Sequence, residues 1–171
     1  MENGLFVAEG PKLVGELCHS FQCTYLAATQ DWISSNETGF AAEVQCVTQE
    51  ELCRASLQQS PQEVLALFRI PKRDCDIAIV RDELCLALDG VQDPGNLGTI
   101  VRIADWFGIS HIFCSPDTAD VFNPKAIQAT MGAAARVSLH YVDLNAGIAS
   151  LPDDVPVYGT FMDGTDIYRA E

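Results

Sequence analysis

The segment 84–108, LCLALDGVQDPGNLGTIVRIADWFG, constrains the fold of this 171-residue chain more than any other part. Residues 84–89 are predicted to form a strand whose two faces are both apolar, as in an internal strand of a parallel sheet covered by helices on both sides. Residues 93–95, Asp-Pro-Gly, favour a turn, and Asn96 then stands where a helix N-cap belongs. A helix is expected over residues 97–107, so the segment predicts an α/β fold.

This helix carries one arginine away from its apolar stripe. Helical spacing places Gly98, Arg102 and Asp105 together, and the missing side chain at Gly98 would let a ligand or another backbone approach the guanidinium. The helix N-terminus adds partial positive charge, so the pattern points to a site for a phosphate or an oxyanion. The same residues also fit a purely structural interpretation, with Asn96 as a cap, Gly98 as a close-packing glycine and Arg102 paired with Asp105.

Two features predict close packing against another layer or another chain. Ile103 and Trp106 make the remaining surface of the helix apolar, which favours burial against a second layer or a partner chain. Residues 131–135 are small apart from Met131, so a partner backbone could come close, although an ordinary tightly packed helix fits equally well.

The chain divides into two α/β units, residues 1–72 and residues 73–171, with residues 69–76 as the linker. The first unit has a helix that opens with Thr48 and Glu51 in capping-box spacing. The second has the alternating strand and helix order of a doubly wound sheet. Strands are predicted over 5–8, 23–28, 43–47, 64–70, 77–80, 84–89, 111–115, 137–142 and 155–161, and helices over 12–21, 30–35, 49–57 and near Leu97, Pro124 and Asn145.

In an open sheet of this kind, ligands bind beyond the carboxyl ends of the strands. The loops 90–96, 116–123 and 162–168 are therefore expected to line one cleft. Lys125 lies in the first turn of a helix capped by Asn123, where a cation is unfavourable unless an anion lies nearby. It is either a phosphate contact or a plain solvated lysine.

Charge and cysteine content limit the classes of partner and compartment. The chain has 24 acidic and 10 basic residues and a net charge of −14, so as a whole it should repel a polyanion. No apolar run is long enough for a membrane span. Seven scattered cysteines without CxxC spacing suit a reducing cytoplasm and give no zinc or other metal site. His19, His111 and His140 stand far apart in the sequence and are expected to be structural.

The string DGVQDPGNLGTIVRIADWFGI resembles the first motif of the SpoU-type, TrmH-like RNA 2′-O-ribose methyltransferases of the SPOUT class. NPKAIQATMGAAARV resembles the second helical segment of that family. The opening GLFVAEGPKLVGEL and the later SPQEVLALFRIP are similar to its substrate-binding domain. The resemblance implies a small ribosomal-protein-like α/β domain in residues 1–72 and a Rossmann-like domain with a parallel sheet in residues 73–171.

The resemblance also implies an activity: methyl transfer from S-adenosylmethionine to a ribose 2′-hydroxyl of rRNA or tRNA, by a homodimer. Arg102 would be catalytic with Asn96 positioning it or the ribose, and no metal is required. A guanidinium hardly ever loses its proton, so oxyanion stabilisation and phosphate clamping suit Arg102 better than deprotonation of the hydroxyl. Candidate RNA contacts are Glu9, Lys12, Lys125 and Gln128, the last standing where many relatives have arginine; Glu9 also suits a structural role.

Family members continue with a Gly-Asn-Glu-Gly loop and a Ser-Leu-Asn-Val segment, which form the knot and hold the cofactor. These motifs are absent up to Glu171, so we expect a truncated form, with the cofactor contacts beyond that residue and a basic helix ahead of the first strand. Two alternatives remain: a noncatalytic RNA-binding module, and a small-molecule α/β enzyme that uses the same cleft.

Overall fold

A computed structural model describes residues 4–72 and 77–160, together with positions 164 and 166. The described chain contains two β-sheets with helices packed on them. In chain order its strands and α-helices are β1 (Leu5–Glu9), α1 (Pro11–Leu17), β2 (Cys23–Ala28), α2 (Gln30–Ser35), β3 (Val44–Cys46), α3 (Gln49–Ala55), β4 (Val64–Arg69), β5 (Leu86–Leu88), α4 (Pro94–Trp106), β6 (His111–Cys114), α5 (Pro124–Thr130), β7 (Ser138–Tyr141) and α6 (Leu144–Ala149). Two short 3₁₀ helices cover Ile77–Arg81 and Ala133–Ala135.

The first sheet is mixed and has the strand order β1-β4-β2-β3. Strand β4 pairs antiparallel with β1 and β2, and β3 adds a parallel edge beside β2. One face of β4 is apolar and buried at alternate positions, namely Val64, Ala66 and Phe68, which is the pattern of a strand with one side in the core. Helix α3 begins with the predicted capping box: the Glu51 N–H donates to Thr48 Oγ1 over 3.2 Å, and the Thr48 N–H donates to Glu51 Oε2 over 2.8 Å.

The second sheet is parallel, with the order β5-β6-β7. Parallel strands need crossover connections, and α4 and α5 supply them. The buried face of α4 meets the sheet in a core that includes Leu97, Val101, Ile112, Cys114 and Leu139, whereas α5 packs on α4 at Gly98. The alternating strand and helix order expected from the sequence is present, and it places the N-termini of α4 and α5 at the carboxyl edge of the strands.

Side chains from both units share one core. The Phe6 ring of β1 lies 4.9 Å from the Phe122 ring, measured between centroids, and Phe21 meets Phe122 edge-on at 6.2 Å. Ile127 of α5 and Ala134 belong to the same buried cluster as Phe6. Aromatic pairs in this range pack favourably, so the two sheets are held together by apolar contact.

Two predicted strands are wrong over the described residues. Residues 77–80 form a 3₁₀ helix, in which the N–H groups of Asp82 and Glu83 donate to Ile79 O, and the run pairs with neither sheet. Residues 155–160 form no strand. A short β-branched run forms a strand only where a neighbouring strand can accept its hydrogen bonds. Position 161 lies outside the described residues.

Smaller differences concern the ends of elements. Helix α1 ends at Leu17, four residues before the predicted end, and a turn follows over residues 18–20. Strand β5 is shorter than predicted and is an edge of the described sheet, with Ala87 exposed. None of the described helices is long and apolar enough to cross a bilayer.

Candidate functional site

Helix α4 begins at Pro94, and its N-cap is Asp93. The backbone N–H of Asn96 donates a 2.8 Å hydrogen bond to Asp93 Oδ1. The prediction of Asn96 as the cap was wrong because proline, which lacks an N–H, suits the first helical position and starts the helix three residues earlier. The Asn96 side chain is exposed in the first turn, and its amide makes no hydrogen bond to the described residues.

Two of the three loops expected to line a cleft are joined at the carboxyl edge of the parallel sheet. The Gly90 N–H donates to Ser115 Oγ over 2.8 Å, and the Val91 N–H donates to Thr118 Oγ1 over 3.3 Å. Ser115 and Thr118 are both buried. These bonds fix the strand-to-helix turn before α4 against the loop after β6. The third loop, 162–168, is outside the described residues except for positions 164 and 166.

Lys125 faces the carboxylate that caps α4. Its Nζ lies 2.8 Å from Asp93 Oδ2, with 65% and 46% of the two side chains exposed. The hydrogen bond from Lys125, helped by the one from the Asn96 N–H, lowers the pKa of the Asp93 carboxyl. The anion that compensates Lys125 at the start of α5 is therefore Asp93 within this chain, and the exposed ammonium remains accessible to a second anion.

Arg102 projects from α4 into solvent. Its guanidinium forms no hydrogen bond or ion pair with any described residue. The expected local partner, Asp105, is held instead by Arg136, with Nε 2.9 Å from Oδ1 and Nη2 2.8 Å from Oδ2. The structural alternative of an Arg102–Asp105 pair is therefore not formed, and the Arg102 guanidinium is open to an external anion.

Gly98 lies against α5. A Cβ at Gly98 would stand 2.5 Å from Ala129 Cβ and 2.6 Å from the Ala126 carbonyl oxygen. The place where we expected a ligand to reach α4 is occupied by the α5 backbone. The sequence predicted that either a ligand or another backbone comes close to Gly98, and in the structure it is another backbone.

Asn96 and Arg102 do not contact each other. Six residues separate them, which is about 9 Å along a helix axis, and no hydrogen bond joins them in the described chain. Asn96 therefore does not orient Arg102 directly. The two side chains can act together only on a ligand that reaches from the first to the third turn of α4.

Glu9 is 6% exposed and has two partners within the chain. Its carboxylate accepts hydrogen bonds from the Ser56 hydroxyl and, over 3.0 Å, from the Leu57 N–H. Both donors follow the end of α3, so Glu9 ties β1 to that turn. This geometry fits the structural role that the sequence allowed for Glu9.

The other two candidate RNA contacts are exposed and lie on different helices. Lys12 is in the first turn of α1, and Gln128 is on α5 one turn after Lys125. Neither side chain is bonded to a described residue. Gln128, Lys125 and Arg102 thus lie on the two packed helices α4 and α5, whereas Lys12 lies in the first unit.

Sequence reasoning missed two clusters of polar side chains. Arg136 was not a candidate, because its partners Asp105 and Glu16 are 31 and 120 positions away. His111 and His140, taken as distant, occupy neighbouring strands with His111 Nδ1 3.0 Å from His140 Nε2. The sequence did hold one indication of this contact: the two histidines lie on predicted strands that follow one another with a single helix between them, and such strands are often neighbours in a parallel sheet. The six described cysteines are free thiols, and burial raises the pKa of Cys114 to about 12.

The fold and the site define a class: α/β proteins whose parallel sheet has helix N-termini at its carboxyl edge, with a guanidinium that bonds to no described residue on the first of these helices. A family model described as the SpoU rRNA Methylase family matches residues 83–171, and one described as the MRM3-like substrate binding domain matches residues 1–66. The chain belongs to the SpoU rRNA methylase family. The resemblance drawn from the first motif is confirmed.

Relatives and solved structures agree with this family. The 23S rRNA (guanosine(2553)-2′-O)-methyltransferase RlmP of Bacillus subtilis is 30% identical over 170 residues, which cover 96% of this chain and 65% of that protein. The structure of a putative RNA methyltransferase of the TrmH family from Porphyromonas gingivalis is 40% identical with a TM-score of 0.85, over 99% of this chain and 68% of that one. An AdoMet-bound rRNA methyltransferase from Sinorhizobium meliloti is 29% identical with a TM-score of 0.70, over 86% and 58%. This chain thus spans 58–68% of the length of these three proteins, and the predicted α/β fold is confirmed.

Proposed function

We propose that the protein containing this chain transfers a methyl group from S-adenosylmethionine to a ribose 2′-hydroxyl of ribosomal RNA. The observation that carries the proposal is Arg102, an exposed guanidinium without a partner among the described residues, on the helix that lies within the first family motif. The methyltransferase relatives support the reaction type. The proposal gives Arg102 a charge to neutralise, which no residue in the described part of the chain provides.

The chemistry requires stabilisation of a developing oxyanion. The sulfonium donor supplies the methyl group: the C–S bond breaks as the bond from the 2′-oxygen to carbon forms, and the hydroxyl proton leaves to solvent or a base. A ribose hydroxyl is a weak nucleophile, so its developing negative charge must be neutralised and the oxygen held in line. Arg102 does this with N–H donors that keep their charge throughout, and it can hold the adjacent phosphate at the same time.

The carboxyl end of β5 is the proposed place of the methyl donor. Asp89 and Gly90 are exposed there, and strand ends of doubly wound sheets are where ligands bind. Asn96, in the first turn of α4, is close enough to this edge to donate to the ribose or its phosphate. We place further cofactor contacts in the protein beyond Glu171.

RNA docking is proposed for residues 1–72, with transfer assigned to residues 73–171. Lys12, Lys125 and Gln128 are exposed and can reach a nucleic acid. Glu9, being buried and bonded to Ser56, would act on RNA only through the position of the α3 end. Since the chain carries a net charge of −14, its affinity for RNA should be modest and should fall steeply with salt. Free cysteines suit action in the reducing cytoplasm.

We also propose that the protein works as a homodimer joined through α4. Ile103, Trp106 and Phe107 are 50%, 85% and 73% exposed on this helix, and contiguous apolar surface of this kind marks an interface. Arg102 lies one turn before Trp106, and the family resemblance implies that the arginine of one subunit meets the methyl donor held by the other. This arrangement would complete the site.

The dimer proposal predicts that Trp106→Glu will weaken self-association by about tenfold or more, because a carboxylate would be buried in the interface. Sedimentation equilibrium of the complete gene product measures this. Leu57→Glu, at another exposed apolar position on the first unit (69% exposed), should leave the dissociation constant unchanged. A dimer that resists Trp106→Glu would place the interface elsewhere.

The decisive experiment for the function is a methyl-transfer assay. The complete gene product and the 171-residue chain are incubated with radiolabelled S-adenosylmethionine and ribosomal RNA that lacks ribose methylation. We expect label in RNA with the complete product, resistance of one phosphodiester bond to alkaline hydrolysis, and no label when the modified nucleotide carries 2′-deoxyribose. RNA binding without any label would instead identify a noncatalytic RNA-binding module, and label that survives the deoxy substitution would place the methyl group on a base.

A further inference from the structure

Asp105 lies within reach of Arg102 along α4. Residues three apart on a helix are neighbours, and carboxylate and guanidinium groups at that spacing attract each other. An Arg102 paired with Asp105 would present a neutralised charge to a phosphate. The described structure avoids this pair, because Arg136 holds the Asp105 carboxylate from the other side.

The contact between Arg136 and Asp105 is bidentate. Nε lies 2.9 and 3.1 Å from Oδ1 and Oδ2, and Nη2 lies 2.8 Å from Oδ2. Asp105 is only 24% exposed, whereas Arg136 is 52% exposed. The hydrogen bonds to Asp105 raise the pKa of the Arg136 guanidinium, against a smaller opposing effect of burial. Both carboxylate oxygens of Asp105 therefore already accept charge-assisted hydrogen bonds from Arg136.

Backbone geometry fixes the position of Arg136. It directly follows the 3₁₀ helix Ala133–Ala135, after Met131 and Gly132, both of which have positive φ. A Cβ at Gly132 would stand 2.9 Å from Glu16 Cβ, so α1 packs tightly at this turn. The remaining Arg136 nitrogen, Nη1, lies 3.2 Å from Glu16 Oε2. One guanidinium thus contacts α4 on one side and α1 on the other.

We infer that Arg136 is a positioning residue for Arg102: it withdraws Asp105 and so keeps the Arg102 guanidinium free for the RNA phosphate or the developing 2′-oxyanion. The inference rests on the proposed function of Arg102. The contact between Arg136 and Glu16 is not part of this role, because Glu16 lies on α1 and is not a helix neighbour of Arg102.

Four variants separate this role from simple support of the fold: Arg136→Gln, Asp105→Asn, the double variant, and Glu16→Gln. At low salt, Arg136→Gln should lower kcat/KM for methyl transfer about fivefold to tenfold, the size expected when an exposed charge pair forms at a phosphate-binding group. The defect should shrink at high salt, which screens the released carboxylate. Asp105→Asn and Glu16→Gln should retain wild-type activity.

The double variant gives the sharpest result. Arg136→Gln with Asp105→Asn should recover most of the lost activity, because the amide at residue 105 no longer neutralises Arg102. If Arg136 only braces the fold, the double variant stays as slow as Arg136→Gln and Asp105→Asn is slow as well. Either of those results overturns the inference.

A second measurement does not depend on activity. Arginine-selective NMR of the 171-residue chain follows the Nε–H signal of Arg102. We expect this signal to shift and its exchange with water to slow in Arg136→Gln, and to return to its wild-type behaviour in the double variant. An unchanged Arg102 signal in Arg136→Gln contradicts the inference. If the wild-type protein transfers no methyl group, the proposed function fails while this comparison still decides the role of Arg136.

Discussion

Replacement of Arg102 by alanine should lower kcat for methyl transfer by about a thousandfold, the loss seen when one preorganised donor to a developing oxyanion is removed. The loss should appear in kcat more than in KM, because the oxyanion exists only in the transition state. The fold should be unaffected, since the Arg102 side chain is exposed and bonds to no described residue. Single-turnover transfer from radiolabelled S-adenosylmethionine measures the effect, and thermal unfolding checks the fold.

Two further variants make this result specific. Arg102→Lys keeps the charge but loses the fork of donors, so we expect it to recover only part of the rate. Arg81→Ala removes another exposed arginine, at the end of the first 3₁₀ helix, and should transfer methyl groups at the wild-type rate. Activity of Arg102→Ala within a few fold of the wild type would show that the oxyanion is stabilised by another group.

Local patterns predicted most of the fold because they reflect local physics. The alternation in residues 64–70 and the apolar run 23–28 correspond to β4 and β2 within one residue at each end. The pair Thr48 and Glu51 predicted a capping box that forms with both hydrogen bonds. The N-cap of α4 was also predictable from local sequence. Proline is favoured at the first helical position, so Pro94 identifies Asp93 as the cap more strongly than the turn residues identify Asn96.

What failed depends on contacts between distant residues. The run 77–80 has the composition of a strand, but whether it pairs depends on which edges of the sheets are free. The same holds for residues 155–160, which have strand-forming residues and no paired neighbour in the described chain. His111 meets His140 only because β6 and β7 are adjacent and parallel.

The candidate site was predicted only in part, because it too depends on contacts between distant residues. The sequence shows that Arg102 lies off the apolar stripe of its helix. The apolar Ile103 and Trp106 favoured burial of that surface, yet Arg102 and both of these residues are exposed within the described chain. The freedom of Arg102 from Asp105 depends on Arg136, which reaches α4 through the packing of α5, and spacing within α4 could not reveal that. The sequence left Lys125 as either a phosphate contact or a solvated lysine. Its pairing with Asp93 could not be predicted, because it requires the two helix starts to be neighbours.

Gly98→Ala should destabilise the protein by about 2 kcal/mol, from an overpacking cost of about 3 kcal/mol less about 1 kcal/mol gained in helix propensity. The new methyl group would stand 2.5 Å from Ala129 Cβ and 2.6 Å from the Ala126 oxygen. Neither neighbour is the end of a flexible side chain, so α4 and α5 must move apart. Urea unfolding followed by circular dichroism measures the free energy.

Gly15→Ala is the matched control, because Gly15 also lies inside a helix, α1, and has no atom within 4 Å of its added Cβ. We expect it to stabilise the chain by about 1 kcal/mol through helix propensity alone. Opposite signs for the same chemical change would show that the close approach of α4 and α5 sets the requirement for glycine at residue 98. Equal, stabilising effects of both substitutions would mean that the helices separate easily. The tight contact would then not fix the position of α4, and with it Arg102, against α5.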